Sequence, residues 1–114
     1  MLLLGRVKIL VGGINMRVGT KVKLKVACLG NDPGTIGVVF YDYGDGFQAI
    51  FSNGSYDGFS LVHKMPNGQI EADFILEKVG FVEQLSGYEF KNVLTVEDDF
   101  RKGLWGEVFK MEGK

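Results

Sequence analysis

At 114 residues, with 46% hydrophobic and 24% charged side chains, the chain is one domain's worth of sequence with enough apolar material for a core, which excludes global disorder. Its formal net charge of −1 hides a split: residues 1–30 carry Arg6, Lys8, Arg17, Lys21, Lys23 and Lys25 and no acid, while the rest carry seven basic and fourteen acidic side chains. A single cysteine, Cys28, excludes an internal disulfide, and the expected location is the cytoplasm.

The apolar start Met1–Leu4 stops at Gly5-Arg6. A secretory core needs about 7–15 apolar residues and a spanning helix about 20, so no membrane role is expected. Arg6-Val-Lys-Ile-Leu-Val11 reads as a strand with Val7, Ile9 and Val11 inward, broken by Gly12-Gly13. Lys21-Val-Lys-Leu-Lys-Val26 alternates cleanly and predicts a half-buried antiparallel strand, with the lysines on one face and Val22, Leu24 and Val26 on the other.

Gly30-Asn-Asp-Pro-Gly34 is a turn cluster. Thr35 to Tyr43 reads as the third strand, with Gly37 marking a bulge or a close backbone approach. Gly44-Asp-Gly46 is a hairpin turn, Phe47–Ser52 a fourth strand, Asn53-Gly54 a second hairpin turn, and Ser55–Val62 a fifth strand. Five short strands joined by tight turns predict a small, partly open barrel over residues 5–62, in keeping with a count of 17 glycines where an average sequence has roughly 7%.

Pro66-Asn-Gly68 ends that half. Ile70, Phe74, Ile75, Leu76 and Val79 fall near helical spacing, with Glu71 and Asp73 early, Lys78 late and Gly80 as the stop, so a helix is expected over 70–79. Tyr88–Leu94 reads as a further strand. Thr95 then caps a second helix that buries Phe100, Leu104, Trp105 and Phe109. The fold class expected is α+β, mainly β: one domain over 1–114, with an α-containing extension over 63–114 packed on the barrel.

Val18-Gly-Thr-Lys-Val-Lys-Leu24 followed by Gly34-Thr-Ile-Gly-Val-Val39 resembles the SH3-like barrels, including the KOW-type barrels of ribosomal and transcription proteins. Residues 34–60, with Phe51-Ser-Asn-Gly and Tyr56-Asp-Gly-Phe, also resemble small uncharacterised proteins of bacteria and their phages. The first resemblance implies a five-stranded antiparallel barrel that contacts nucleic acid or other proteins. The second implies no activity.

Two surfaces are candidates. Tyr41, Tyr43 and Tyr56 lie in an aromatic-rich stretch and could line a groove for a protein partner. The plain alternative is packing, which also explains Phe40, Phe47, Phe51 and Phe59. Lys21, Lys23 and Lys25, joined by Arg6 and Lys8 if the first two strands pair, would make a basic face for phosphates. The plain alternative there is a solvated face that discourages edge-to-edge pairing.

Chemistry has little to stand on. His63 is the single histidine and Cys28 the single thiol, so a triad or a His/Cys zinc site would need these two residues to carry nearly everything. Asp42, Asp45 and Asp57 fit turn roles and lack the ligand alternation of a calcium loop. The sequence nominates no catalytic residue, metal or cofactor. A non-enzymatic protein-interaction module is expected, in the setting of a bacterial or phage accessory protein. The alternative is a nucleic-acid-binding barrel.

Overall fold

The computed structural model describes residues 16–103 and 105–109. The expected strand at 6–11 therefore lies outside the described residues.

Alternation and turns build the sheet. β1 (Thr20–Leu24), β2 (Ile36–Asp42), β3 (Gly46–Phe51) and β4 (Tyr56–Ser60) form an antiparallel meander, and β5 (Leu76–Phe81) returns to pair with β1. The five-stranded order is β4-β3-β2-β1-β5. Among the described residues the protein is thus mainly β, with one antiparallel sheet that is not closed: its end strands β4 and β5 are not paired with each other.

The period-2 pattern gives the sheet two apolar faces. Val22, Leu24, Val39, Phe47, Ala49, Phe51 and Phe59 line one, closed by Met16, Leu61, Ala72 and Leu76. Val38, Phe40 and Ile50 line the other, covered by Val82, Leu85, Val96 and Trp105. A sheet buried on both sides needs a cover on each. The segment through helix α1 (Glu71–Ile75) supplies the first, and the C-terminal segment with α2 (Val93–Arg101) supplies the second.

The second half departs from the sequence expectation in three places. The helix expected over 70–79 is only the five residues of α1, because Leu76 turns extended (φ −128°, ψ 155°) and the chain continues as β5. Its apolar spacing serves both elements: Ala72 and Leu76 are buried on the same face. The sheet therefore runs past the boundary expected at residue 62. Residues 88–92 are irregular rather than a strand.

The second helix is capped three residues before the expected Thr95. Asn92 is the cap, its side chain accepting from the Thr95 N–H at 3.0 Å, so Thr95 sits inside the first turn. Gly103, at φ +87°, follows the end of α2, and Trp105 is buried beyond the helix rather than on it. Leu104, expected in the same core, lies outside the described residues.

Candidate functional site

Tyr41 and Tyr43 come together. Their ring centroids are 5.8 Å apart, and the residues are 37% and 45% exposed. A bulge aims the first of them. The register of β2 against β3 steps from Val39↔Ala49 to Tyr41↔Gln48, leaving Phe40 as the extra residue. Phe40 and Tyr41 consequently both reach Phe90, at 5.4 and 4.6 Å. Phe40 goes under the C-terminal segment as core, and Tyr41 stays at its rim.

A turn and two glycines place the second. Asp42 Oδ1 accepts from the Gly44 N–H at 2.9 Å, and Tyr43 N–H donates to Gly46 O at 3.0 Å, closing the β2–β3 hairpin. The Tyr43 ring then lies on backbone. A Cβ at Gly46 would stand 2.6 Å from Tyr43 Cε1 and 2.8 Å from Phe59 O, and one at Gly58 would stand 3.2 Å from Tyr43 Oη. These two glycines are needed for close approach. Beside the pair, Gln48 Oε1 is buried and has no hydrogen-bond partner among the described residues. Burial first, then the carboxylates of Asp45 and Asp57, push the Tyr43 phenol above its ordinary pKa.

Tyr56 is placed elsewhere. Its hydroxyl donates to Glu97 Oε2 at 3.0 Å, and its ring stands edge-on to Phe40 at 6.3 Å. It is half-buried under α2 and fastens that helix to β4. The bond to Glu97 is the main cause of its raised pKa. The three tyrosines thus divide into an exposed pair and a structural one. The sequence held no sign of Phe90 as the third ring of the exposed cluster, since the contact depends on an irregular loop returning to the β2 bulge.

The lysines do not make the expected row. Lys21 is only 5% exposed, opposite Val38 in the middle of the sheet. Lys23 is half-buried. The strand ends at Leu24, and Lys25 turns to α1 instead: its N–H donates to Ile75 O and its Nζ to Asp73 O, both at 2.7 Å. Those carbonyls belong to the last turn of a five-residue helix and have no partners within it. Arg17 lies over the Phe81 ring at 4.0 Å. Arg6 and Lys8 lie outside the described residues.

Cys28 begins a tight hairpin with Leu29 (φ 55°), Gly30 (φ 79°) and Asn31, closed by reciprocal bonds of 3.0 and 2.8 Å between Cys28 and Asn31. Burial and then Asp57 raise the thiol's pKa, which keeps it protonated and a poor nucleophile. Among the described residues no three His, Cys, Asp or Glu side chains gather as a metal site. None of the described helices is long and apolar enough to cross a membrane.

No protein-family model, curated protein or solved structure matches this chain.

Proposed function

We propose that the protein is a non-enzymatic protein-interaction module, an SH3-like barrel of KOW type by its resemblance, which contacts its partner through Tyr41 and Tyr43. One observation carries this reading. Two amphipathic rings lie exposed side by side, Tyr43 seated on Gly46 and Gly58 and Tyr41 backed by Phe90, where core packing accounts for neither exposure. Tyrosines of this kind give large contact area at a cost of two side-chain torsions each, which is why interfaces favour them. The tight meander over residues 20–60 supports the barrel part of the reading. The resemblance to small bacterial and phage proteins makes a bacterial host protein the partner to seek.

Photo-crosslinking tests it. A benzophenone amino acid replaces Tyr43 in the full chain, and exposed Glu83 in a control, in living cells of the native host. A discrete protein adduct is expected from position 43, absent from position 83 and insensitive to nuclease. No adduct at 43, or one that nuclease removes, overturns the reading.

A further inference from the structure

Charge is sorted along the strand order. From Val26 to Val62 the sequence holds Asp32, Asp42, Asp45 and Asp57 and no Lys, Arg or His. That stretch supplies β2, β3 and β4. The described basic residues nearest the sheet, Arg17, Lys21, Lys23, Lys25 and Lys78, belong to β1, β5 and their flanks at the other end of the order, where they are mixed with Glu71, Asp73, Glu77 and Glu83. The Tyr41–Tyr43 pair therefore sits on the acidic half of the sheet.

Two of these carboxylates stand beside the rings. Leu61 N–H bonds to Asp45 O and Phe51 N–H to Ser55 O, a register in which the Gly58 N–H points away from β3, toward the edge that β4 forms among the described residues. Asp57 Oδ1 folds back to accept from that N–H at 2.8 Å. The Tyr43 hydroxyl lies against the same glycine, so ring edge and carboxylate meet at Gly58. Asp45 lies in the hairpin turn that carries Tyr43 to Gly46. The upward push on the Tyr43 phenol from Asp45 and Asp57 agrees with this proximity.

We propose that the Tyr41–Tyr43 pair, with Asp45 and Asp57, receives an arginine or lysine side chain presented by a basic segment of a partner protein. This rests on the interaction-module reading and specifies the partner's chemistry. The face of an aromatic ring attracts a cation, and a nearby carboxylate adds to the attraction without having to be buried. Arginine suits the site better, because its planar, weakly hydrated guanidinium stacks on rings. The chain already uses that geometry within itself, with Arg17 over Phe81. A neutral or acidic segment would gain nothing from Asp45 and Asp57 and would lose by approaching them.

The test is an NMR titration of the isotope-labelled full chain with two synthetic peptides of equal length, one of alternating arginine and glycine, the other neutral and rich in proline and leucine. The basic peptide is expected to shift the backbone amides of residues 41–46 and 57–58 and to lose affinity as salt is raised. Tyr41→Ala should weaken it about two- to fivefold, the free energy of an exposed cation–ring contact converted to affinity. Asp45→Asn and Asp57→Asn, which leave the rings in place, should each weaken it as well. Affinity unchanged in a Tyr41→Ala, Tyr43→Ala double variant would mean unspecific attraction to an acidic sheet, and the proposal falls. Shifts at these residues from the neutral peptide alone would keep the platform as an interaction site and overturn its cationic ligand. With no shift there from either peptide the proposal fails, and the module reading is decided separately by the crosslinking at position 43. Movement of the same resonances on dilution of the chain by itself would assign the site to a second copy and overturn the proposal.

Discussion

The Tyr88 hydroxyl donates to Asp99 Oδ2 at 2.6 Å. The bond joins the irregular loop before α2 to the helix itself, and the Tyr88 ring stands edge-on to buried Trp105 at 5.1 Å. Burial and the carboxylate both disfavour the phenolate, so the Tyr88 pKa is raised well above its ordinary value. The folded-state pKa exceeds the unfolded one of about 10. The stabilisation is therefore complete below pH ~10 and is lost as pH rises through the folded value. Tyr43, Tyr56 and Cys28 are shifted in the same direction, so the comparison must be between variants. Tyr88→Phe should cost about 1 kcal/mol at pH 7, below the roughly 1.5–3 kcal/mol of a charge-assisted bond because the pair is part-exposed. It should also flatten the decline above pH 10. Urea unfolding between pH 7 and 11 reads both; an unchanged alkaline slope in the variant would remove Tyr88 from the account.

Close packing on glycine makes a second prediction. A Cβ at Gly37 would stand 2.6 Å from Phe51 Cδ1 and 3.1 Å from Ile50 O, inside the best-buried part of the sheet. Gly37→Ala should destabilise by about 1–3 kcal/mol, the usual range for overpacking. Gly46→Ala should do likewise, and Tyr43→Ala in the same chain should relieve only part of that, because the Phe59 carbonyl at 2.8 Å stays where it is. Gly87 has nothing within 4 Å of an added Cβ, so Gly87→Ala should stay within about 0.5 kcal/mol of the parent. Chemical denaturation of the set ranks them, and equal effects at Gly37 and Gly87 would contradict this packing.

The α2 cap can be isolated from the rest of the helix. Asn92 Oδ1 accepts from the Thr95 N–H at 3.0 Å and from the Thr95 hydroxyl at 3.3 Å. Asn92→Ala should cost about 0.5–2 kcal/mol, and Asn92→Asp should preserve most of the stability, since either side chain accepts the bond. Thermal unfolding followed by circular dichroism separates them. A Thr95→Ala loss much larger than that of Asn92→Ala would instead make Thr95 the cap, as its place in the sequence suggests.

What the sequence made legible follows from which forces act locally. β1 to β4 could be read because alternation, Gly-Asp-Gly and Asn-Gly each act within a few residues. β5 could not, because Leu76 and Val79 fit a helical stripe until pairing with β1 pulls the chain extended. Tyr88 and Phe90 have strand propensity, yet their rings are taken by Trp105, Phe40 and Tyr41, contacts that no local pattern announces. The lysine row failed for a similar reason. Alternation does put Lys21 on the face opposite Val22, but the sheet is buried on both faces, so that face is not a solvated one. Of the tyrosines, the sequence could not separate Tyr56 from the exposed pair, since its partner Glu97 lies 41 residues away.

That separation yields the last prediction. Tyr56 fastens α2 through Glu97 and packs on Phe40, whereas Tyr41 and Tyr43 stand exposed on another part of the same face. Tyr56→Phe keeps the ring and removes the donor, so it should lower the thermal midpoint while leaving affinity for the arginine-glycine peptide proposed for Tyr41 and Tyr43 as it was. Glu97→Gln keeps an acceptor for the hydroxyl but removes the charge, and should sit between Tyr56→Phe and the parent. The two substitutions act on one bond, so combining them should cost no more than Tyr56→Phe alone. Tyr43→Ala should show the reverse profile, a loss of affinity with little change in midpoint. A calorimetric midpoint and a binding isotherm on the parent and the four variants decide it. Loss of affinity in Tyr56→Phe equal to that in Tyr43→Ala would join the three tyrosines into one surface and make α2 part of the contact.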